Sequence, residues 1–297
     1  MKLRLGTRRS KLALAQADEI AEALGANGIE TELVPMTTSG DRGADPSTDP
    51  AGVKGLFVAE IVRALRDGEV DIAVHSAKDL PAEDDDGVVI AAVPERASPL
   101  DVLVTRDGQL RPGGRVGTSS VRRQAQVFRW RPDVLLKDLR GNVDTRLRKL
   151  ADGEADALVL AAAGLLRLGV VPEHAAPMSI SEMVPAPGQG CLAVQARADD
   201  EVTISALAAI EHVPSRDALT AERTLMRALG GGCALPLGAF AERIEGAMRM
   251  VAIVLTPDGG RYARAEVKAG TPEEVAELAR LDLAAGGADE ILSVVRQ

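Results

Sequence analysis

Short apolar runs alternate with helix-length amphipathic segments through the first two thirds of this 297-residue chain. Residues 3–5 have strand character. Residues 11–24 carry Leu12, Leu14, Ala15, Ile20, Ala23 and Leu24 at helical spacing, with Ser10 placed to cap the start and Gly25 to stop the end. Residues 29–36 alternate as a strand, 56–65 have helical periodicity, and 71–75 and 88–93 read as strands. A second series follows, with strands at 102–104, 115–117, 134–138 and 157–160 and helices at 119–130, 142–150 and 161–168. This order predicts an α/β fold built from parallel βαβ units. Residues 39–52, rich in Gly, Asp, Pro and Ser, read as a mobile loop. No internal repeat is visible.

Proline and glycine punctuate the chain at 94–99 and again at 185–190. The apolar run 191–195 fits a buried strand that returns to the first unit, so the chain crosses twice between two lobes. The expected division is 1–94 with 191–211, then 95–190, then a smaller α+β unit at 212–297. The last third of the chain has helices at 201–211 and 215–229, strands at 237–241, 248–255 and 263–267, and helices at 272–285 and 290–295. Between them lies Gly230-Gly231-Gly232-Cys233, a cysteine framed by residues that let backbone approach a bound group. A buried turn cysteine is the plain alternative.

Composition narrows the function. A net charge of −9 argues against nucleic acid or a membrane surface as partner. Aromatic residues make up only 2%, too few for base-stacking platforms. Cys191 and Cys233 form no disulfide framework and suit a reducing cytoplasm. The start Met1-Lys2-Leu3-Arg4 has no signal-peptide apolar region, and no run is long enough to span a bilayer. His75, His174 and His212 lack ligand spacing, so no metal site is expected. Neither phosphate-loop fingerprint occurs. The acidic run 83–86 reads as a solvated loop.

Four strand ends carry candidate chemistry. His75-Ser76-Ala77-Lys78-Asp79 puts a cation and a carboxylate where ligands sit in open α/β sheets; a surface turn with a weak ion pair explains it equally well. Gly117-Thr118-Ser119-Ser120-Val121-Arg122-Arg123 offers free N–H groups, hydroxyls and a helix dipole to an anion, with two arginines beside them. In Arg140-Gly141-Asn142-Val143-Asp144-Thr145-Arg146, Asn142 is placed as a helix cap. Its arginines either face a cleft or pair with Asp138 and Asp144. Gly6-Thr7-Arg8-Arg9-Ser10 repeats the design. Three such arginine-flanked helix starts in an acidic protein point to a ligand with several carboxylates.

Together these segments closely resemble the porphobilinogen deaminase (hydroxymethylbilane synthase) family. The likeness includes Thr7-Arg8, Val53-Lys54-Gly55-Leu56-Phe57, residues 71–81, 116–123 and 139–146, Ala163-Gly164-Leu165, Pro187-Gly188-Gln189-Gly190 and the glycine–cysteine loop. It covers essentially the whole chain. It implies two lobes like type II periplasmic binding proteins, a third domain, and a dipyrromethane cofactor joined to Cys233 by a thioether. It implies head-to-tail condensation of four porphobilinogens with loss of ammonia, then hydrolytic release of hydroxymethylbilane, by a monomer. Asp79 would be the catalytic carboxylate, facing pyrrole N–H groups and the cation that ammonia loss leaves. Arg8, Arg9, Lys78, Arg122, Arg123, Arg140, Arg146 and Arg167 would neutralise substrate and cofactor carboxylates. Opposite charges about 4 Å apart attract by roughly 4 kcal/mol at an effective dielectric of 20, before desolvation. Ser76 would position a substrate carboxylate, and Thr118, Ser119 and Ser120 would hold the cofactor's. Ser10, Lys54, Gly141, Asn142 and Gln189 complete the binding set.

The chain departs from the family's pattern at Pro50, near a place often basic, at Ala125, where some relatives have cysteine, and at Gly230. None removes a group the chemistry needs. Two other readings fit less well: a non-catalytic two-lobed binder of a small polycarboxylate, which leaves Cys233 unexplained, and a cysteine-nucleophile hydrolase, which lacks a histidine base.

Overall fold

In the computed structural model the described residues are 1–36, 50–231 and 235–295, with backbone alone described for 50–57. Cys233 and most of the 39–52 stretch lie outside them. The chain opens with β1 (Lys2–Arg8), α1 (Lys11–Gly25), β2 (Glu30–Met36), α2 (Pro50–Arg66), β3 (Ile72–Ser76) and β4 (Val88–Ala92). Next come β5 (Asp101–Thr105), β6 (Arg115–Gly117), α3 (Val121–Trp130), β7 (Leu135–Lys137), α4 (Val143–Ala151), β8 (Ala157–Ala161), α5 (Ala162–Arg167) and β9 (Ala175–Pro177). The remainder is β10 (Leu192–Arg197), α6 (Glu201–Leu207), α7 (Val213–Ala228), β11 (Leu237–Ile244), β12 (Ala247–Leu255), β13 (Tyr262–Ala269), α8 (Pro272–Ala285) and α9 (Ala288–Val295).

Two five-stranded sheets share one plan. The first runs β2-β1-β3-β10-β4 and the second β7-β6-β8-β5-β9. In each, the three leading strands are parallel. The strand that follows a crossing from the other lobe is inserted antiparallel: β10 beside β3 and β4, β5 beside β8 and β9. The sheets are thus mixed where the sequence reading expected parallel units alone. The repeated plan has no visible sequence repeat, because it is a pattern of pairing and not of residues.

Side-chain alternation explains the layers. Ile72 and Val74 of β3, with Leu192, Val194 and Ala196 of β10, face α1 through Ala17, Ile20 and Leu24. Ala73, Cys191 and Ala193 face the opposite way, against Val58, Ile61 and Leu65 of α2 and Leu219 of α7. The second sheet divides likewise, with Leu158 and Leu160 on one face and Ala157 and Val159 on the other. The third unit is an antiparallel β11-β12-β13 sheet packed on α7, α8 and α9. No helix among the described residues is long and apolar enough to cross a membrane.

Local differences from the sequence reading have simple causes. Helix α2 starts at Pro50 rather than residue 56, with proline at a position whose fixed φ suits a helix start. Helix α3 starts at Val121 because Ser120 is its cap, accepting from Arg123 N. The acidic run is ion-paired rather than simply solvated: Asp84 with Arg223, Glu83 with Arg227 and Asp85 with Arg66. Strand β9, exposed throughout, has no apolar pattern to announce it.

A buried carboxylate joins all three units. Glu222 of α7, with no exposed surface, accepts from Arg96 Nη1 at 2.7 Å, Gly188 N at 2.6 Å and Ala241 N at 2.8 Å. Arg96 lies in the first crossing segment, Gly188 in the second, Ala241 in β11. Replacing Glu222 with Gln leaves the Arg96 cation buried without its counter-charge. The expected loss of stability is about 3 kcal/mol, read from denaturant unfolding; an unchanged midpoint would show that this pair does not hold the junction.

Candidate functional site

The candidate residues cluster at carboxyl ends of strands. Arg8 ends β1, and Ser10 caps α1 by accepting from Ala13 N at 3.3 Å. Ser76 ends β3 and leads into a 3₁₀ turn, Ala77–Asp79, on which Lys78 and Asp79 are partly exposed. Gln16 of α1 donates to Ser76 Oγ at 2.7 Å, fixing the entry to that turn. Gly188 backs it: at φ +72, a Cβ there would stand 3.0 Å from Ala77 C and Lys78 N. Only glycine lets the second crossing lie this close.

In the second lobe β6 runs into Thr118, fully buried, then Ser119 and Ser120 at the start of α3. Arg122 and Arg123, expected to grip ligand carboxylates, are buried and committed to Asp101 at 2.8 and 2.7 Å. Arg123 also donates to Val159 O and Arg122 to Val184 O. Burial opposes the charge on Asp101, but the two guanidiniums overcome it and hold its carboxyl down to about 2. Gln189, also buried, donates to Pro99 O at 2.7 Å and Asp101 Oδ1 at 3.0 Å.

Arg140 is exposed and pairs with Asp138 at 3.0 Å, one of the two alternatives open from sequence. Asn142 occupies the cap position of α4 but its side chain makes no capping bond; Gly141 precedes it at φ +123. Arg146 donates to Gly141 O at 2.7 Å. Burial, and then the neighbouring Arg123 charge, lower its pKa against the pull of Asp138. Arg167 reaches from α5 to Glu19 of α1 at 2.7 Å and to Gly190 O at 3.2 Å. Lys11 meets Asp144 of α4 at 2.8 Å. These two pairs bring the strand-end rims of the lobes together. Arg9 is exposed. Lys54 lies on α2, where only backbone is described, and Cys233 falls outside the described residues.

The sequence reading missed Gln16, Asp101 and Glu222. Asp101 and Glu222 left one signal, a charge inside an otherwise apolar pattern. The described residues fit a ligand with several carboxylates, as a dipyrromethane is. Arg146 is a crowded, desolvated cation that an anion would relieve, and Arg122 Nε is buried with no hydrogen-bond partner among the described residues.

His75, inside β3, is fully buried. Burial drives its pKa down to about 4, against the charge of Asp79. The unfolded chain protonates first, near 6.5, so the stabilising contribution is complete above that pH. It is lost as pH falls from about 6.5 to about 4. The expected loss is ~3 kcal/mol across that window. In a His75→Gln protein the corresponding slope of unfolding free energy should vanish; an identical slope would assign it elsewhere.

Comparisons with known proteins agree over the full length. The family description "Porphobilinogen deaminase, dipyromethane cofactor binding domain" matches residues 3–205, and "Porphobilinogen deaminase, C-terminal domain" matches 217–285. A porphobilinogen deaminase of Thermus thermophilus is 46% identical, covering 98% of each chain. One of Brevibacillus brevis is 43% identical, covering all of this chain and 98% of the relative. Among solved structures, the methionine-binding protein MetQ is 12% identical at a TM-score of 0.45, covering 70% of this chain and 89% of its own.

Proposed function

The chain belongs to the porphobilinogen deaminase family, and from that premise we propose that Asp79 is its catalytic carboxylate and that Cys233 carries its dipyrromethane through a thioether. The enzyme condenses four porphobilinogens head to tail, losing one ammonia at each addition, and hydrolysis then releases hydroxymethylbilane. The observation that carries the assignment of Asp79 is the turn after β3, pinned by Gln16 on one side and Gly188 on the other. A carboxylate is thereby held at the strand-end rim where the lobes meet.

When bound, the dipyrromethane supplies the pyrrole onto which the first substrate is added. Asp79 stabilises the positive charge left on the substrate as its carbon–nitrogen bond breaks, and it takes the proton displaced when the new carbon–carbon bond forms. Ser76 and Lys78 hold a substrate carboxylate beside it. Ser119, Ser120 and the start of α3 receive cofactor carboxylates through hydroxyls, N–H groups and dipole. Arg8, Arg146 and Arg167 add charge along the rim, with Arg9, Arg140, Ser10, Lys54, Gly141 and Asn142 at its margins. Arg122, Arg123 and Gln189 act through Asp101, shaping the cradle. The other cysteine supports the choice of Cys233: Cys191 is buried in a strand-end core and burial pushes its thiol up to about 12. The enzyme works as a monomer in the cytoplasm, where a free thiol persists. It divides the chain at 1–94 with 191–211, 95–190 and 212–297.

Intact mass tests the attachment. The wild type should exceed its sequence mass by two porphobilinogens less two ammonias, and Cys233→Ala should not; an equal excess in both moves the attachment elsewhere. Asp79→Asn should keep the excess and lose nearly all turnover, whereas near-normal turnover removes Asp79 from the chemistry.

A further inference from the structure

The segment beyond the Asp79 turn is tied down. Arg223 of α7, its side chain only 7% exposed, donates to Pro81 O at 2.8 Å, Ala82 O at 3.3 Å and Asp84 Oδ1 at 2.7 Å. One turn later Arg227 donates to Ala82 O at 3.2 Å and pairs with Glu83 at 3.2 Å and Asp84 at 3.4 Å. The same helix leads to Gly231, whose N–H is bonded to Met226 O at 2.9 Å. A Cβ on Gly231 would collide with Ala82 Cβ, so the backbone at the end of α7 lies directly against the Ala82 side chain, just after the turn. Cys233 is two residues past Gly231, and Asp79 three residues before Ala82.

We propose that Arg223 is a positioning residue for the reaction: by binding residues 81–84 to α7, it holds the Asp79 turn in register with Gly231, two residues before Cys233 in the sequence. The inference rests on the roles assigned to Asp79 and Cys233 above. A pyrrole chain tethered at one loop must present its growing end to a carboxylate on another, and a displacement of about 1 Å at such a site costs roughly a hundredfold in rate. The arginine fork suits the task because its acceptors, two carbonyls and a carboxylate, lie in different directions; an ammonium is a single point charge. A staple that only stabilised the loop would alter melting and leave turnover alone.

The test compares purified holoenzymes of wild type, Asp84→Asn, Arg223→Gln, Gly231→Ala and the double variant Gly231→Ala/Ala82→Gly. All should carry the covalent mass excess. Asp84→Asn, Arg223→Gln and Gly231→Ala should lose about ten- to a hundredfold in kcat with KM for porphobilinogen almost unchanged. Adding Ala82→Gly, which removes the nearest clash and leaves Met226 O at 3.0 Å from the new Cβ, should restore part of the loss in Gly231→Ala. Independently of activity, hydrogen exchange in 79–84 and 226–231 should accelerate together in Asp84→Asn and Arg223→Gln. Wild-type kcat in the single variants, failure of Ala82→Gly to rescue, or exchange that changes in one segment alone overturns the proposal. Should Arg223→Gln fail to fold, Asp84→Asn and the Gly231–Ala82 pair decide it. A wild type without the mass excess overturns the Cys233 reading itself, and is seen before any variant is compared.

Discussion

A carboxylate cut off from water persists as an ion only where donors meet its lone pairs. Glu222 satisfies that demand with groups from three separate stretches of chain: Arg96, Gly188 N and Ala241 N. Much of the molecule follows. Gly188, held by Glu222, backs the turn that presents Asp79. Arg96 Nε donates to Gln189 O at 2.8 Å, and the Gln189 side chain donates to Asp101. Asp101 in turn fixes Arg122 and Arg123 at the start of α3. One connected set of partners therefore runs from the third unit, through both crossings, to the start of α3. In such a network losing one member leaves the others buried and unpaired.

The arginines of this acidic protein sort by burial. Arg122 and Arg123 share a carboxylate with no exposed surface, and separating them from it would uncover a charge in a dry interior. They organise the site. Arg140–Asp138 and Lys11–Asp144 are exposed pairs, individually worth little and open to exchange with an incoming carboxylate. Arg146 is held differently, by a carbonyl, with a second guanidinium nearby. The division explains how a net-negative molecule builds a local cationic rim: carboxylates neutralise the arginines behind the rim more firmly than those on it.

What the sequence made legible was local. Ser10 announces a helix start because a cap is a contact across a few residues. The Ser76–Asp79 and Thr118–Ser120 motifs were readable because loops that close strands carry function on short stretches. The partners that give those motifs their geometry were not readable. Glu222 stands on a face with Ala218, Leu219, Ala221 and Leu225, which marks it as anomalous without naming Arg96, a residue 126 positions away. Arg122 and Arg123 looked like ligand-binding arginines because a guanidinium pair has the same signature whether its anion is a substrate or Asp101. The antiparallel insertion of β5 and β10 was hidden for a related reason. Strands buried on both faces are uniformly apolar in either direction, so direction is set by the route of the crossings.

Room for a lengthening chain has to come from a seam that parts at low cost. The third unit is fastened to the second lobe by Phe240, Val251, Ile253 and Leu255 against Ala125 and Val184. It reaches the first lobe through Leu219 of α7. Opening either contact exposes apolar surface at about 25 cal/mol per Å². Between the lobes, α1 meets α4 and α5 through Lys11–Asp144 and Glu19–Arg167. A carboxylate from solution can in principle take the place of Asp144 or Glu19 in such a pair, whereas no anion can replace a buried valine. The charged seam along α1 is thus the cheaper of the two kinds of contact to part, while the apolar seams hold α7 and the start of α3 in a constant relation.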